Sequence, residues 1–88
     1  MVYQLSILYN NYMNNDLEIL GDNIRIERAK RKLTQEQLAE MCGSMSGQHL
    51  GKIEKGEIDI RTTTLFAILR ALDCDLKDLI DLRGEKNG

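Results

Sequence analysis

The chain has 88 residues, of which 42% are hydrophobic, with no proline or tryptophan and a formal net charge of −2. This is the size of one small domain, whose stability margin is thin because a chain this short buries only ~60% of its unfolded surface. It has no apolar run near the ~20 residues that span a membrane and no secretory leader pattern. Its two cysteines and single histidine do not cluster as zinc ligands.

The absence of proline and of recurrent strand alternation favours an all-α fold. Residues 1–15, MVYQLSILYNNYMNN, carry two periodicities. Tyr3, Leu5, Ile7 and Tyr9 alternate as in a strand, whereas Leu5, Leu8, Tyr9 and Tyr12 share a helix face. The asparagines at 10, 11, 14 and 15 read as a loop. This N-terminal extension is expected to be either an oligomerisation arm or a disordered leader. A first helix is expected over Leu17–Lys32, with Asp16 as N-cap and Leu17, Leu20 and Ile24 facing inward. The basic run Arg25, Arg28, Lys30, Arg31 and Lys32 fits either a solvated end that complements the helix dipole or a set of phosphate contacts.

Leu33–Gly56 is the most informative stretch. Thr34 with Gln37 forms a capping box, so a helix should start at Gln35 and bury Leu38, Ala39 and Cys42. Gly43-Ser44 breaks it. A second helix can start after Ser46 and run to Lys55, with Gly56 as the left-handed C-terminal residue. Leu50 and Ile53 face inward. Gly47, Gln48, Gly51, Lys52 and Lys55 form an outward stripe without an acid. Glycine costs ~1 kcal/mol relative to alanine inside a helix. Bare backbone beside amide and ammonium donors therefore suggests close approach to another molecule, and a DNA major groove admits one helix. Further on, Thr62, Thr63 and Thr64 offer N-cap hydroxyls for a fourth helix with Leu65, Ile68, Leu69 and Leu72 on its core face. Asp73-Cys74-Asp75 is a turn, and Asp75 can cap a fifth helix carrying Leu76, Leu79 and Ile80. Residues 83–88 form a polar tail.

Two helices joined by a short glycine-containing turn, the second apolar inside and polar outside, describe a helix-turn-helix. Leu33-Thr34-Gln35, Leu38-Ala39, Gly43, Leu50, Ile53-Glu54 and Gly56 resemble the Cro/C1-type motif of phage repressors and XRE-family regulators. The resemblance spans about Leu20 to Leu79 and implies a five-helix lambda-repressor-like domain over residues 16–82. From Leu33 to Gly56 the chain is one residue longer than the usual pattern. Met45 is placed at the buried turn position and Ser46 at the cap; a shift of one would make Ser44 the cap.

The resemblance further implies a sequence-specific DNA-binding regulator, a dimeric repressor that reads a palindromic double-stranded operator. It implies a structural pair between Arg28 and Glu54, since a buried carboxylate needs a partner. Gln48 is the candidate for reading adenine, with His49 and Lys52 as further base contacts. Gln35 at the helix start, Ser46, Lys55, Arg31 and Arg61 are phosphate candidates. The last helix, extended by Leu82, would form the homodimer. An antitoxin with a toxin partner and a restriction–modification controller, each autoregulating its operon, are alternatives within the class, as is a protein-interaction module that has lost DNA binding.

No cofactor or metal is expected. Paired catalytic acids, a phosphate loop and a Ser/His arrangement are all missing, so the chain does not read as an enzyme. The cysteines Cys42 and Cys74 read as core side chains in a reducing cytoplasm. Charge is unevenly placed. Residues 21–56 hold seven bases against five acids, whereas residues 57–88 hold five bases against seven acids.

Overall fold

The computed structural model describes residues 2–83, with side chains from Asn15 onward. The described residues form five helices and no strand: α1 Val2–Lys30, α2 Gln35–Met41, α3 Gly47–Glu54, α4 Thr62–Leu72 and α5 Leu76–Leu79. Each contributes to one core. Leu20 and Ile24 come from α1, Leu38 and Ala39 from α2, and Leu50 and Ile53 from α3. Ile68 and Leu72 come from α4, and Leu79 from α5. Full burial of a leucine or isoleucine side chain is worth roughly 1.5–3 kcal/mol, so these positions hold the short helices in place.

Three helices stop by the same device. At the end of α1, Lys32 takes φ 58°, and the Leu33 and Lys32 N–H groups donate to the Arg28 and Ala29 carbonyls at 3.2 and 2.9 Å. At the end of α3, Gly56 takes φ 73°, and Glu57 and Gly56 donate to Lys52 and Ile53. At the end of α4, Asp73 takes φ 56°, with Cys74 and Asp73 donating to Leu69 and Arg70. The left-handed residue reverses the chain while the last carbonyls keep partners.

Two glycines set how α1 crosses the end of α3. A Cβ on Gly21 would collide with the Ile53 carbonyl oxygen and lie 2.7 Å from that of Glu54. A Cβ on Gly56 would lie 2.7 Å from the Glu18 Cα. Both neighbours are backbone, so neither can swing aside. The opposite side of α1 reaches α5, where Asn23 Nδ2 donates to the Leu79 carbonyl at 2.6 Å.

Several expectations about helix ends need correction. α1 does not begin after Asp16. It runs from Val2 through the boundary expected between residues 15 and 16, so Asp16 lies inside a helix, and the strand reading of Tyr3–Tyr9 does not hold. It ends at Lys30, two residues before Lys32, because Lys32 is left-handed. The threonines do not cap α4. Arg61 occupies its N-cap with no side-chain hydrogen bond, and Thr62 is already helical. In the expected polar tail, residues 84–88 lie outside the described residues.

Candidate nucleic-acid interface

Local capping builds the α2–turn–α3 unit. The Gln37 N–H donates to Thr34 Oγ1 at 3.0 Å, and the Thr34 N–H donates back to Gln37 Oε1 at 2.8 Å. Gly43 at φ 107° turns the chain. Met45 packs against the core half-buried. Ser46, not Ser44, is the N-cap of α3; its Oγ accepts from the His49 N–H at 3.0 Å. The register of α3 follows from this cap.

That register buries Leu50, Ile53 and Glu54 and exposes Gln48, His49, Lys52 and Lys55. Gln48, Lys52 and Lys55 lie opposite the core at i, i+4 and i+7, on one face. His49 points to the side, into an open groove that it shares with Ser44, Ser46, Arg61 and Thr63. The groove thus places Arg61 and the uncapped start of α4 beside the start of α3.

The glycines of the stripe do something other than the sequence suggests. Both are half-buried, and the side on which each lacks a Cβ faces α2. A Cβ on Gly47 would meet the Glu36 side chain at 3.0 Å, and one on Gly51 would meet the Gln35 amide at 3.4 Å. At Gly47 the close approach is between the two helices of the motif, whereas at Gly51 a methyl group would find an ordinary contact distance to α2.

Behind this face lies a buried polar network. Glu54 is 6% exposed. Its carboxylate accepts from Arg28 Nε at 2.6 Å, Arg28 Nη2 at 3.0 Å and Gln35 Nε2 at 3.0 Å. Arg28 Nη1 donates to the Leu33 carbonyl at 2.8 Å, which ties the α1–α2 connection into the same network. No buried side-chain polar atom among the described residues lacks a partner. The hydrogen bonds to Glu54 raise the Arg28 pKa above its ordinary value, with burial opposing them. The Gln35 amide is thus turned inward, which leaves this residue its backbone N–H at the start of α2.

The basic run of α1 is largely neutralised by its own helix. Arg25 pairs with Asp22 at 2.7 Å, and Lys30 and Arg31 converge on Glu27 at 3.1 and 2.8 Å. The hydrogen bonds from Arg31 and then Lys30 hold the Glu27 carboxyl below its usual range. Lys32, Lys52, Lys55 and Arg61 are exposed, with no ion pair among the described residues. Cys42 and Cys74 are free and half-buried, and burial pushes both thiols up.

The outer face of α3 thus carries Gln48 and Lys52, with Lys55 at its C-cap, and is locked from behind by the Arg28–Glu54 ion pair. A model of the helix-turn-helix family (HTH_3) matches residues 24–79. The chain belongs to this XRE-type helix-turn-helix family. It is similar to the control protein C.SmaI of Serratia marcescens, with 36% identity over 70 residues, covering 80% of this chain and 82% of that protein. Its fold is similar to the crystal structure of the restriction-modification controller protein C.AhdI from Aeromonas hydrophila. There the TM-score is 0.71 and the identity 27%, covering 76% of this chain and 96% of that one. The helix-turn-helix protein is a DNA-binding transcriptional regulator with a lambda-repressor-like fold. No helix among its described residues is long and apolar enough to cross a membrane.

Proposed function

We propose that the protein is a restriction–modification controller: a cytoplasmic homodimer that binds a two-fold symmetric operator beside its own gene and regulates its own operon. What carries this reading is the exposed Gln48, Lys52 and Lys55 face of α3 in a chain similar to two named controllers. α3 enters the major groove, Gln48 bonds the N6 and N7 edge of adenine, and His49 and Lys52 lie beside it. Lys55, Ser46, Arg61 and the Gln35 backbone N–H hold phosphates and set the register, as backbone contacts generally do; Arg31, expected among them, is paired with Glu27 instead. Arg28 and Glu54 hold α3 at its angle and touch no DNA. A second copy is needed because one α3 covers few base pairs. The exposed Leu76, 39% accessible, and Leu82, 54% accessible, support pairing through the α5 end. With controllers as relatives, an operator and a second copy suffice as partners, and a toxin is not invoked.

Fluorescence anisotropy on the DNA upstream of the gene, against a scrambled duplex at two salt concentrations, tests the reading. Tight binding that prefers the upstream DNA and weakens steeply with salt is expected. A folded protein that binds neither duplex at low salt would overturn it in favour of a protein-interaction module.

A further inference from the structure

Gly47 is the first residue of α3, beside the exposed Gln48, and its missing side chain leaves a gap toward α2. The space is filled from α2. Glu36 is exposed, and its Cγ, Cδ and Oε2 all lie 3.0 Å from the point a Cβ on Gly47 would occupy. The side chain therefore lies flat across the glycine. Among the described residues no ion pair takes up its carboxylate. The same register puts Gln48 next along α3 and the lysines at 52 and 55 further toward its other end, so no cation of α3 sits beside Glu36; Arg28, committed to Glu54, feels its charge without bonding to it. A carboxylate has only acceptors, and in the major groove the complementary donor is the cytosine N4 amino group. Phosphate oxygens repel it.

We infer that Glu36 supplies from α2 the side chain that Gly47 lacks, and reads cytosine N4 at the base pair facing the start of α3. The inference rests on the DNA-binding reading and deepens it. The acid on the motif's face then has a specificity role, rejecting a base that presents an acceptor at that position. It also couples positions 36 and 47. Any side chain at 47 must push Glu36 aside, so the two positions act as one reader.

The test is base preference, measured by sequencing the duplexes that the full-length protein retains from a library randomised across the half-site. Wild type, Glu36→Ala, Gly47→Ala and the double variant are compared, after thermal melting confirms that each is folded. Wild type is expected to favour cytosine about tenfold at one position of the half-site, and Glu36→Ala to lose that preference while the others persist. Gly47→Ala should blur the same position, and the double variant should be no worse than Glu36→Ala there, since both changes remove one contact. If Glu36→Ala changes binding to all duplexes by one factor and leaves the base profile intact, the residue acts only on the backbone field and the inference fails, although the regulator reading stands. If wild type retains no duplex over another, both fail.

Discussion

Glu54 is tolerated in the interior because three donors converge on it, and the two from Arg28 also fix the angle between α1 and α3. Removing one partner of such a pair strands the other in a low dielectric, which costs about 3–5 kcal/mol. Arg28→Ala is therefore expected to lower urea-unfolding stability by that amount, a large part of what a small domain has. Gln35→Ala should cost less, since Arg28 still satisfies the carboxylate. On the outer face the residues divide by what they touch. Gln48→Ala should weaken operator binding by about 1–3 kcal/mol and relax preference at one base position, as for any lost bidentate base contact. Lys52→Ala, if the ammonium holds phosphate, should weaken binding to all sequences and reduce the salt slope by about 1. Anisotropy titrations on operator and scrambled duplexes at several salt concentrations separate the two. An equal loss on every sequence for Gln48→Ala would remove it from base reading.

At the level of helices, glycines with different neighbours should respond oppositely to one methyl group. A Cβ on Gly21 would collide with the fixed Ile53 carbonyl and lie 2.7 Å from that of Glu54, whereas a Cβ on Gly51 would lie 3.4 Å from the Gln35 amide, an ordinary contact distance. Gly21→Ala should destabilise by about 1–3 kcal/mol through overpacking, despite the better helix propensity of alanine. Gly51→Ala should be neutral or gain up to about 1 kcal/mol. Urea unfolding of both variants checks the contrast, and equal effects would contradict the described crossing. The same contrast marks what could be read in advance. Thr34, Gln37, Ser46 and Gly56 act on neighbours within a few residues, so the boundaries of α2 and α3 follow from local chemistry. The left-handed stop at Lys32 had no such signal, because lysine does not advertise positive φ. The N-terminal residues carry both a strand and a helix period, and the helix prevails as an unbroken extension of α1. A glycine reports that something comes close without naming it. Gly47 and Gly51 suggest DNA and instead face α2, while nothing in the residues around Gly21 signals the carbonyls of Ile53 and Glu54 that it meets. Within the site, exposure of Gln48, His49, Lys52 and Lys55 follows from helical period alone. That the bases of α1 are mostly paired within their own helix depends on rotamers and the turn spacing of Asp22 and Glu27, which charge counting does not resolve.

For the molecule as a whole, a net charge of −2 must coexist with binding to a polyanion. Residues 1–20 carry only Asp16 and Glu18, and residues 57–88 hold seven acids against five bases. Among the described residues, exposed cations without an ion pair lie at α3 and its flanks but also at Arg70, Lys77 and Arg83, so with a negative net charge one copy has little non-specific hold on DNA. Affinity must then come from two copies engaged on one site, where the second contact is made at high effective concentration. If the copies pair through the α5 end, an added charge there should separate them without touching the groove-facing helix. Leu76→Asp is expected to raise the dimer dissociation constant at least tenfold in sedimentation equilibrium, because it places a carboxylate in an apolar contact. Binding to a full palindrome should fall steeply, while binding to an isolated half-site stays within about twofold, since α3 is unaltered. Thermal melting of the variant guards against simple unfolding, as Leu76 is partly exposed and outside the nine-residue core. Should Leu76→Asp leave both the sedimentation and the full-site affinity unchanged, the pairing surface lies elsewhere. The N-terminal extension of α1, whose residues 2–15 carry no charge, would then be the next place to introduce an aspartate.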